Sequence, residues 1–269
     1  MTKETSVDDL LDLLTIKLIM TPRTRMETCR DEEKAIEVIE RMRAYDVLPV
    51  ISSGRIQFFV RKTRIEKKIK TDGSAKVQEI KEEILHEHMI SEDEKIDSFL
   101  SSEQDFFFVI KQEKVSGIVT YADLNKWPSK TFFYIVISRF EQLLIEAIEN
   151  MNLSQRELEK YIGFWGVWGA LGRHEQEKRG NVHLSLVQCL NTSDLVNIAC
   201  KNTRIREILG YKTKNQAEKH LNPIVNLRNR IMHAGHSLIE SKDDVKKRKE
   251  QCDTIRRHIS GLLLWLKEN

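Results

Sequence analysis

Apolar positions along this chain follow two rhythms, and the change comes near Pro128. Ahead of it, short apolar runs bounded by turn residues predict strands; after it, apolar residues recur every three or four positions, the spacing of helices. In the first part, Val47-Leu48-Pro49-Val50-Ile51, a turn at Ser53-Gly54 and Ile56 to Val60 predict one strand pair. Phe106-Phe107-Phe108-Val109-Ile110, a turn near Gln112-Glu113 and Val115 to Val119 predict a second. A helix precedes each pair, with Ile36, Ile39 and Met42 on one and Ile96, Phe99 and Leu100 on the other. Asp31 and Ser91 stand as their N-caps, and Ser91 with Glu94 spells a capping box.

These two helix–strand–strand stretches repeat at a separation of 59 to 60 residues, matching Cys29 to Ile36 with Met89 to Ile96. Neither half buries its apolar face alone, so the repeat predicts one α+β domain of two halves. Between the halves, Arg61 to Glu87 carries Lys67, Lys68, Lys70, Lys76 and Lys81 and a turn at Asp72-Gly73. Such a charge run is either a solvated connector or a basic loop that touches RNA.

The second part predicts a bundle of about five helices. Phe132 to Met151 places Phe133, Val136, Phe140, Leu143, Leu144 and Ile148 on one side. Ser154 with Glu157 caps the next helix, and Leu184 to Ala199, Asn215 to Ala234 and Lys242 to Leu266 give three more. Pro223 either kinks the fourth or marks its first turn. Phe164, Trp165 and Trp168, three and four apart, read as a core or dimer face, with base stacking as the alternative. Arg173, His174, Lys178 and Arg179 are a solvated loop or a substrate-binding rim. The chain thus divides into domains at 1–130 and 131–269.

Composition narrows the chemistry little. A net charge of +3 permits nucleic-acid binding without demanding it. Cys29, Cys189, Cys200 and Cys252 are scattered with no Cys-x-x-Cys pair, which predicts reduced thiols in a cytoplasmic protein and no structural metal. Neither a signal peptide nor a membrane span is read; the apolar run Ile162 to Leu171 is Gly-interrupted and too short to cross a bilayer.

The chemistry-bearing stretch is Leu227-Arg228-Asn229-Arg230-Ile231-Met232-His233-Ala234-Gly235-His236. Arg holds a phosphate with a planar fork of donors, and His moves a proton near neutral pH. On a helix Asn229 and His233 share a face, whereas Arg228 and His233 diverge by roughly 140°. The Arg therefore curls round the helix or meets the His at a site shared with another subunit. Gly235 as a helix end leaves His233 in the last turn. Arg230 and His236 form an overlapping pair, and the plain alternative is a surface helix with cations near its C-terminus.

Two resemblances follow from these motifs. The first part resembles a tandem pair of CBS domains (a Bateman module) over roughly Leu10 to Lys130. It carries Ile19-Met20-Thr21-Pro22 at the entrance, Leu48-Pro49-Val50 in the first half and Gly117-Ile118-Val119-Thr120-Tyr121-Ala122-Asp123 in the second. The resemblance implies an adenine nucleotide (AMP, ADP, ATP or a related ligand) as regulatory ligand. Gly117 lets the backbone approach it, and Thr120 and Asp123 hydrogen-bond a ribose, unless they simply cap a helix. The first half departs from the pattern with Phe58, Arg61 and Arg64 at the matching positions, so one good nucleotide site is expected. Arg61 and Arg64 would face phosphates.

The second part, from Thr131 to Asn269, resembles the HEPN domains, helical bundles with an Arg-x(4–6)-His motif late in the chain. The fold expected is therefore an α+β tandem CBS pair followed by an all-α HEPN helical bundle. The resemblance implies a metal-independent endoribonuclease that works as a homodimer on RNA, with no cofactor for catalysis. Arg228, Asn229 and His233 would be catalytic, Arg230 and His236 substrate contacts, and the products a 2′,3′-cyclic phosphate and a 5′-hydroxyl. A toxin, defence or stress role is a family expectation, with an antitoxin protein as candidate partner and no membrane. The alternative is a non-catalytic nucleotide sensor or regulatory module that dimerises through its helical domain.

Overall fold

The computed structural model describes residues 7–102, 104–233 and 235–269. They divide into two compact units, one of residues 14–124 and one joining residues 125–269 to the N-terminal helix α1 (Val7–Asp12). The boundary falls at Leu124 and not at 130 because a long helix starts at Trp127, with Pro128 in its first turn. Proline lacks an N–H that the first turn leaves unpaired in any case.

The strands of the first unit are β1 (Thr21–Pro22), β2 (Cys29–Arg30), β3 (Val47–Ser52), β4 (Arg55–Arg61), β5 (Glu82–Glu83), β6 (Met89–Ser91), β7 (Phe106–Lys111) and β8 (Lys114–Thr120). They form two four-stranded sheets, ordered β2-β3-β4-β5 and β1-β8-β7-β6. Both hairpins fall where expected, and they match in detail. Val47 faces Arg61 as Phe106 faces Thr120, and each register shifts at the same place, Val50/Ile51 and Val109/Ile110. Their turns place Ser53 and Gly54, and Gln112 and Glu113, at positive φ, which suits the twist of a two-residue hairpin loop.

The halves exchange their leading segments. β1, which precedes the first half, pairs with β8 of the second, and β5, which precedes the second, pairs with β4 of the first. The same crossing recurs upstream: the Ile16 N–H donates to the Glu94 carbonyl at 2.7 Å and the Val77 N–H to the Glu33 carbonyl at 3.0 Å. The aromatic core is correspondingly shared, with Ile56, Phe59 and Ile84 packed against Phe106, Phe108 and Val115.

Three expectations need correction here. The helices α2 (Ala35–Arg41) and α4 (Ile96–Leu100) begin after Lys34 and Lys95, so Asp31 and Ser91 do not cap them. Ser91 lies in β6 instead, and its hydroxyl accepts from the Asp93 N–H. The basic connector is no loop: its first part is the helix α3 (Lys62–Thr71), with one buried apolar residue, Ile65.

In the second unit α5 (Trp127–Asn150) is central and buries the expected stripe from Phe133 to Ile148. It packs against α1, α7 (Thr192–Lys201), α9 (Lys214–Met232) and α10 (Lys242–Glu268). Between α5 and α7 runs α6 (Gln155–Arg179), opened by the Ser154–Glu157 capping box and broken at Gly163, whose φ of 76° lies outside helical space. The short α8 (Thr203–Ile208) precedes α9. Pro223 sits inside α9, not at its start. The helix expected from Leu184 begins only at Thr192, because the Asn191 side chain accepts from the Asp194 N–H at 2.9 Å and caps it there. All four cysteines are buried and outside any disulfide, and burial pushes the Cys29 thiol up to about 12.

A polar cluster is buried beside α5. The His258 Nε2 and the Tyr211 hydroxyl are 3.0 Å apart, and the Phe140 ring packs on the imidazole. Burial, then the nearby Arg257 and His220, lowers His258 to about 4 from 6.5. Between those values the unfolded chain binds the extra proton, so stability rises with pH across that window. Stability is therefore expected to be intact above pH 6.5 and to fall by about 3 kcal/mol as pH drops towards 4. Thermal unfolding of the wild type and of His258→Gln measures it, and the variant should lose this part of the slope.

Candidate functional site

The first candidate site lies at the end of β8. The Asp123 carboxylate is 7% exposed, and its Oδ2 accepts from the Thr120 N–H at 2.7 Å and the Thr120 hydroxyl at 3.1 Å. This closes the 3-10 turn Tyr121–Asn125, so the capping role expected as the alternative is present. It also fixes a hydroxyl and a carboxylate side by side. Gly117 serves a different need from the one expected. A Cβ there would stand 2.6 Å from the Thr21 carbonyl oxygen and 2.9 Å from the Met20 sulfur, so what approaches its backbone is the exchanged strand.

Arg61 and Arg64 converge on Glu82, at 3.6 Å and 3.5 Å. The Arg61 guanidinium also lies over the rings of Phe59 and Phe106, 5.2 Å and 5.1 Å from their centroids. Phe106 stands opposite Thr120 in the β7–β8 register, so Arg61 rests on the strand neighbour of the Thr120–Asp123 pair. The buried Oε1 of Glu82 has no hydrogen bond. Sequence spacing missed Glu82 because β5 is only two residues long. A cleft of about 1440 Å³ opens elsewhere in this unit, walled by Arg23, Arg55, Phe58, His86, Phe107 and Lys114, and none of the five candidate residues lines it.

The second candidate site is the end of α9. Leu227 is buried, Arg228 half-buried, and Asn229, His233 and His236 exposed. The helix stops at Met232. His233 is its C-cap, with extended backbone (φ −94°, ψ 108°), and not a member of the last turn. The His233 N–H still donates to the Asn229 carbonyl at 3.2 Å, and the rings of His233 and His236 are 5.5 Å apart. Ala234 lies outside the described residues. Arg228 is tied back to α5, its Nε 3.9 Å from Glu141, which in turn accepts from the Thr192 hydroxyl at 2.5 Å. That buried Nε has no hydrogen-bond partner. Arg230 pairs with Glu240 at 3.7 Å.

The segment after His236 is held from three sides by residues that no motif marked. Asn125 accepts from the Leu238 and Ile239 N–H groups at 2.7 Å and 3.0 Å and donates to the Ile239 carbonyl at 2.7 Å. The Lys130 ammonium donates to the His236 carbonyl at 2.9 Å. Arg248, 2% exposed, donates to the Leu238 carbonyl at 3.2 Å and to Gln251 at 2.7 Å. Buried cations satisfied by backbone carbonyls fix a loop firmly, since removing either partner strands the other. A lone Asn or Arg carries no such signal in sequence.

Comparison with protein-family models gives no match, and no curated protein matches. Solved structures that the chain is similar to include CBS-domain proteins. One is the CBS domain of the bacterial CNNM/CorC family Mg2+ transporter in complex with ATP, at 19% identity over 44% of this chain and 89% of that one, with a TM-score of 0.38. A hemolysin-like protein containing a CBS domain from Oenococcus oeni PSU shares 20% identity over 41% of this chain and 86% of its own, with a TM-score of 0.36. CBSX2 in complex with AMP shares 16% over 41% and 92%, with a TM-score of 0.34. No described helix is long and apolar enough to cross a membrane.

Two substitutions test these geometries. Gly117→Ala forces the exchanged strand aside and should cost about 1–3 kcal/mol in thermal unfolding. Asn125→Ala should cost about 2–3 kcal/mol and remove hydrogen-exchange protection at Leu238 and Ile239.

Proposed function

We propose that this chain is a metal-independent endoribonuclease of the HEPN type, regulated by an adenine nucleotide held at Thr120 and Asp123. The observation that carries the catalytic half is Arg228, a guanidinium on a side chain 35% exposed, on the helix that ends in the His233–His236 ring pair. Its planar fork of donors is the kind of group that binds phosphate oxygens. The nucleotide half rests on the sequence resemblance to CBS pairs and on the hydroxyl–carboxylate pair beside the Arg61 guanidinium.

Attack of a ribose 2′-hydroxyl on the neighbouring phosphate needs a base for the 2′-proton, an acid for the 5′-oxygen and stabilisation of the added charge. In this reading His233 transfers the proton, with His236 beside it as a substrate contact, and Arg228 neutralises the phosphorane. Asn229, whose carbonyl already holds the His233 N–H, orients the His or the phosphate. Arg230 contacts substrate from the next position. The products are a 2′,3′-cyclic phosphate and a 5′-hydroxyl. With Arg228 tied back to α5 and His233 standing past the end of the helix, the working unit in this reading is a homodimer in which two motifs meet.

Glu141 favours a second reading. A carboxylate on α5 that engages Arg228 is also what a purely structural tie requires, and the chain would then be a nucleotide sensor without catalysis. Cleavage of labelled single-stranded RNA in chelator, with and without AMP and ATP, separates the two. Wild type should cleave, with a rate that nucleotide changes, and His233→Ala should fall by about 100-fold or more at unchanged thermal stability. Cleavage equal in the variant, or none in the wild type, would overturn the nuclease and leave the sensor. Growth arrest on expression of wild type but not of His233→Ala would extend the reading to a toxin with an antitoxin partner.

A further inference from the structure

Helix α6 after its break at Gly163 carries the strongest unexplained surface of the molecule. Phe164, Trp165 and Trp168 are 54%, 80% and 61% exposed, so the core role expected for them is excluded. The three rings are already organised. Phe164 and Trp168 stack at 5.9 Å and 21°, and Trp165 meets Phe164 edge-on at 5.3 Å. Aromatic side chains bury roughly 150–250 Å² each, so these exposed fractions leave about 400 Å² of apolar surface on one helix face. That is about half of what each partner contributes to a stable dimer, before the flanks of the helix are counted.

The same face carries the complement of these knobs. Spacings of three, four and seven put Trp165, Trp168, Gly169 and Gly172 on one stripe. A Cβ at Gly172 would meet nothing within 4 Å, and one at Gly169 would meet only the Arg173 guanidinium, at 3.6 Å. We propose that two copies of this chain dock through α6, antiparallel, about a two-fold axis between Trp168 and Gly169. That axis pairs Trp165 of one copy with Gly172 of the other, Trp168 with Gly169, and Phe164 with Arg173. Each relation holds in both directions, as an isologous interface demands. Every indole then fills a glycine hollow, and the Arg173 guanidinium, anchored by its bond to the Cys189 carbonyl at 2.7 Å, meets an aromatic face.

A single-stranded nucleic acid fits this face less well. Stacked bases draw their phosphates along the aromatic ridge, and the exposed Glu175, seven residues after Trp168 on the same stripe, repels them. Glycine hollows also add nothing to the stacking of flat bases. The nuclease reading also needs two copies, but RNA cleavage tests that reading and the α6 variants test this interface.

Sedimentation equilibrium of the full chain, with light scattering as a check, tests it. Wild type is expected at twice the chain mass of 31.5 kDa at micromolar concentration. Trp165→Ala/Trp168→Ala should associate at least roughly 30-fold more weakly, the scale of losing interface anchors. Gly172→Leu fills the hollow without touching its own fold and should weaken association similarly, with helical circular dichroism and melting unchanged. A monomeric wild type, or a dimer that survives either variant, overturns the proposal. Tryptophan quenching by oligouridylate in a monomeric wild type would overturn it in favour of base stacking.

Discussion

Four backbone hydrogen bonds set the terms for the α+β unit. Ile16 and Val77, at the start of the two leading segments, reach Glu94 and Glu33 across the repeat, and Ile96 and Ala35 return the contact to Leu14 and Ala75. Because each half is closed by a segment that belongs to the other, neither half has a complete sheet on its own. The exchange explains the rest of the unit. It brings Phe59 against Phe106 and Phe108, stacks Arg61 on that pair, and places the entering strand so close to β8 that only glycine fits at position 117. Glycine at 117 is thus a packing requirement, and the Thr120–Asp123 pair inherits its position from it.

The helical unit solves a different problem: how to hold an exposed His pair on a segment with no regular structure. Its answer is to bury the polar groups that grip the segment. Lys130 and Arg248 are each almost fully buried and end on backbone carbonyls, while Asn125 satisfies both a donor and an acceptor of Ile239. Charges removed from water need such partners, and the loop's own carbonyls supply them. The result is a firmly held segment that presents two exposed imidazoles side by side.

Much of this was legible in the chain. Both hairpins and their turns follow from short apolar runs bounded by turn residues, which suit strands buried on both faces, and the apolar stripe of α5 follows from period-3.6 patterning. The exchange was not legible: strands of two residues, such as Thr21–Pro22 and Glu82–Glu83, have no period to detect, and their partners lie far away in sequence. Helix starts failed where a strand or a backbone bond took the presumed cap, as at Ser91, or where a side-chain cap stood later than the apolar pattern began, as at Asn191. At the motif, residue identity located Arg228 and His233 but could not supply Glu141 or Asn125, whose roles depend on contacts between distant helices or loops. Phe164, Trp165 and Trp168 show the limit of periodicity itself. The spacing marks a face, and only the fold says that the face is uncovered.

On the proposed function, the α+β unit holds an adenine nucleotide at the Thr120–Asp123 pair. Titration calorimetry of AMP and of ATP into the full chain, wild type and Asp123→Asn, tests it most directly. Saturable binding to the wild type at about one site per chain is expected, with its loss in the variant and the melting temperature retained. Heat that is the same in both proteins, or no binding by the wild type, would contradict it.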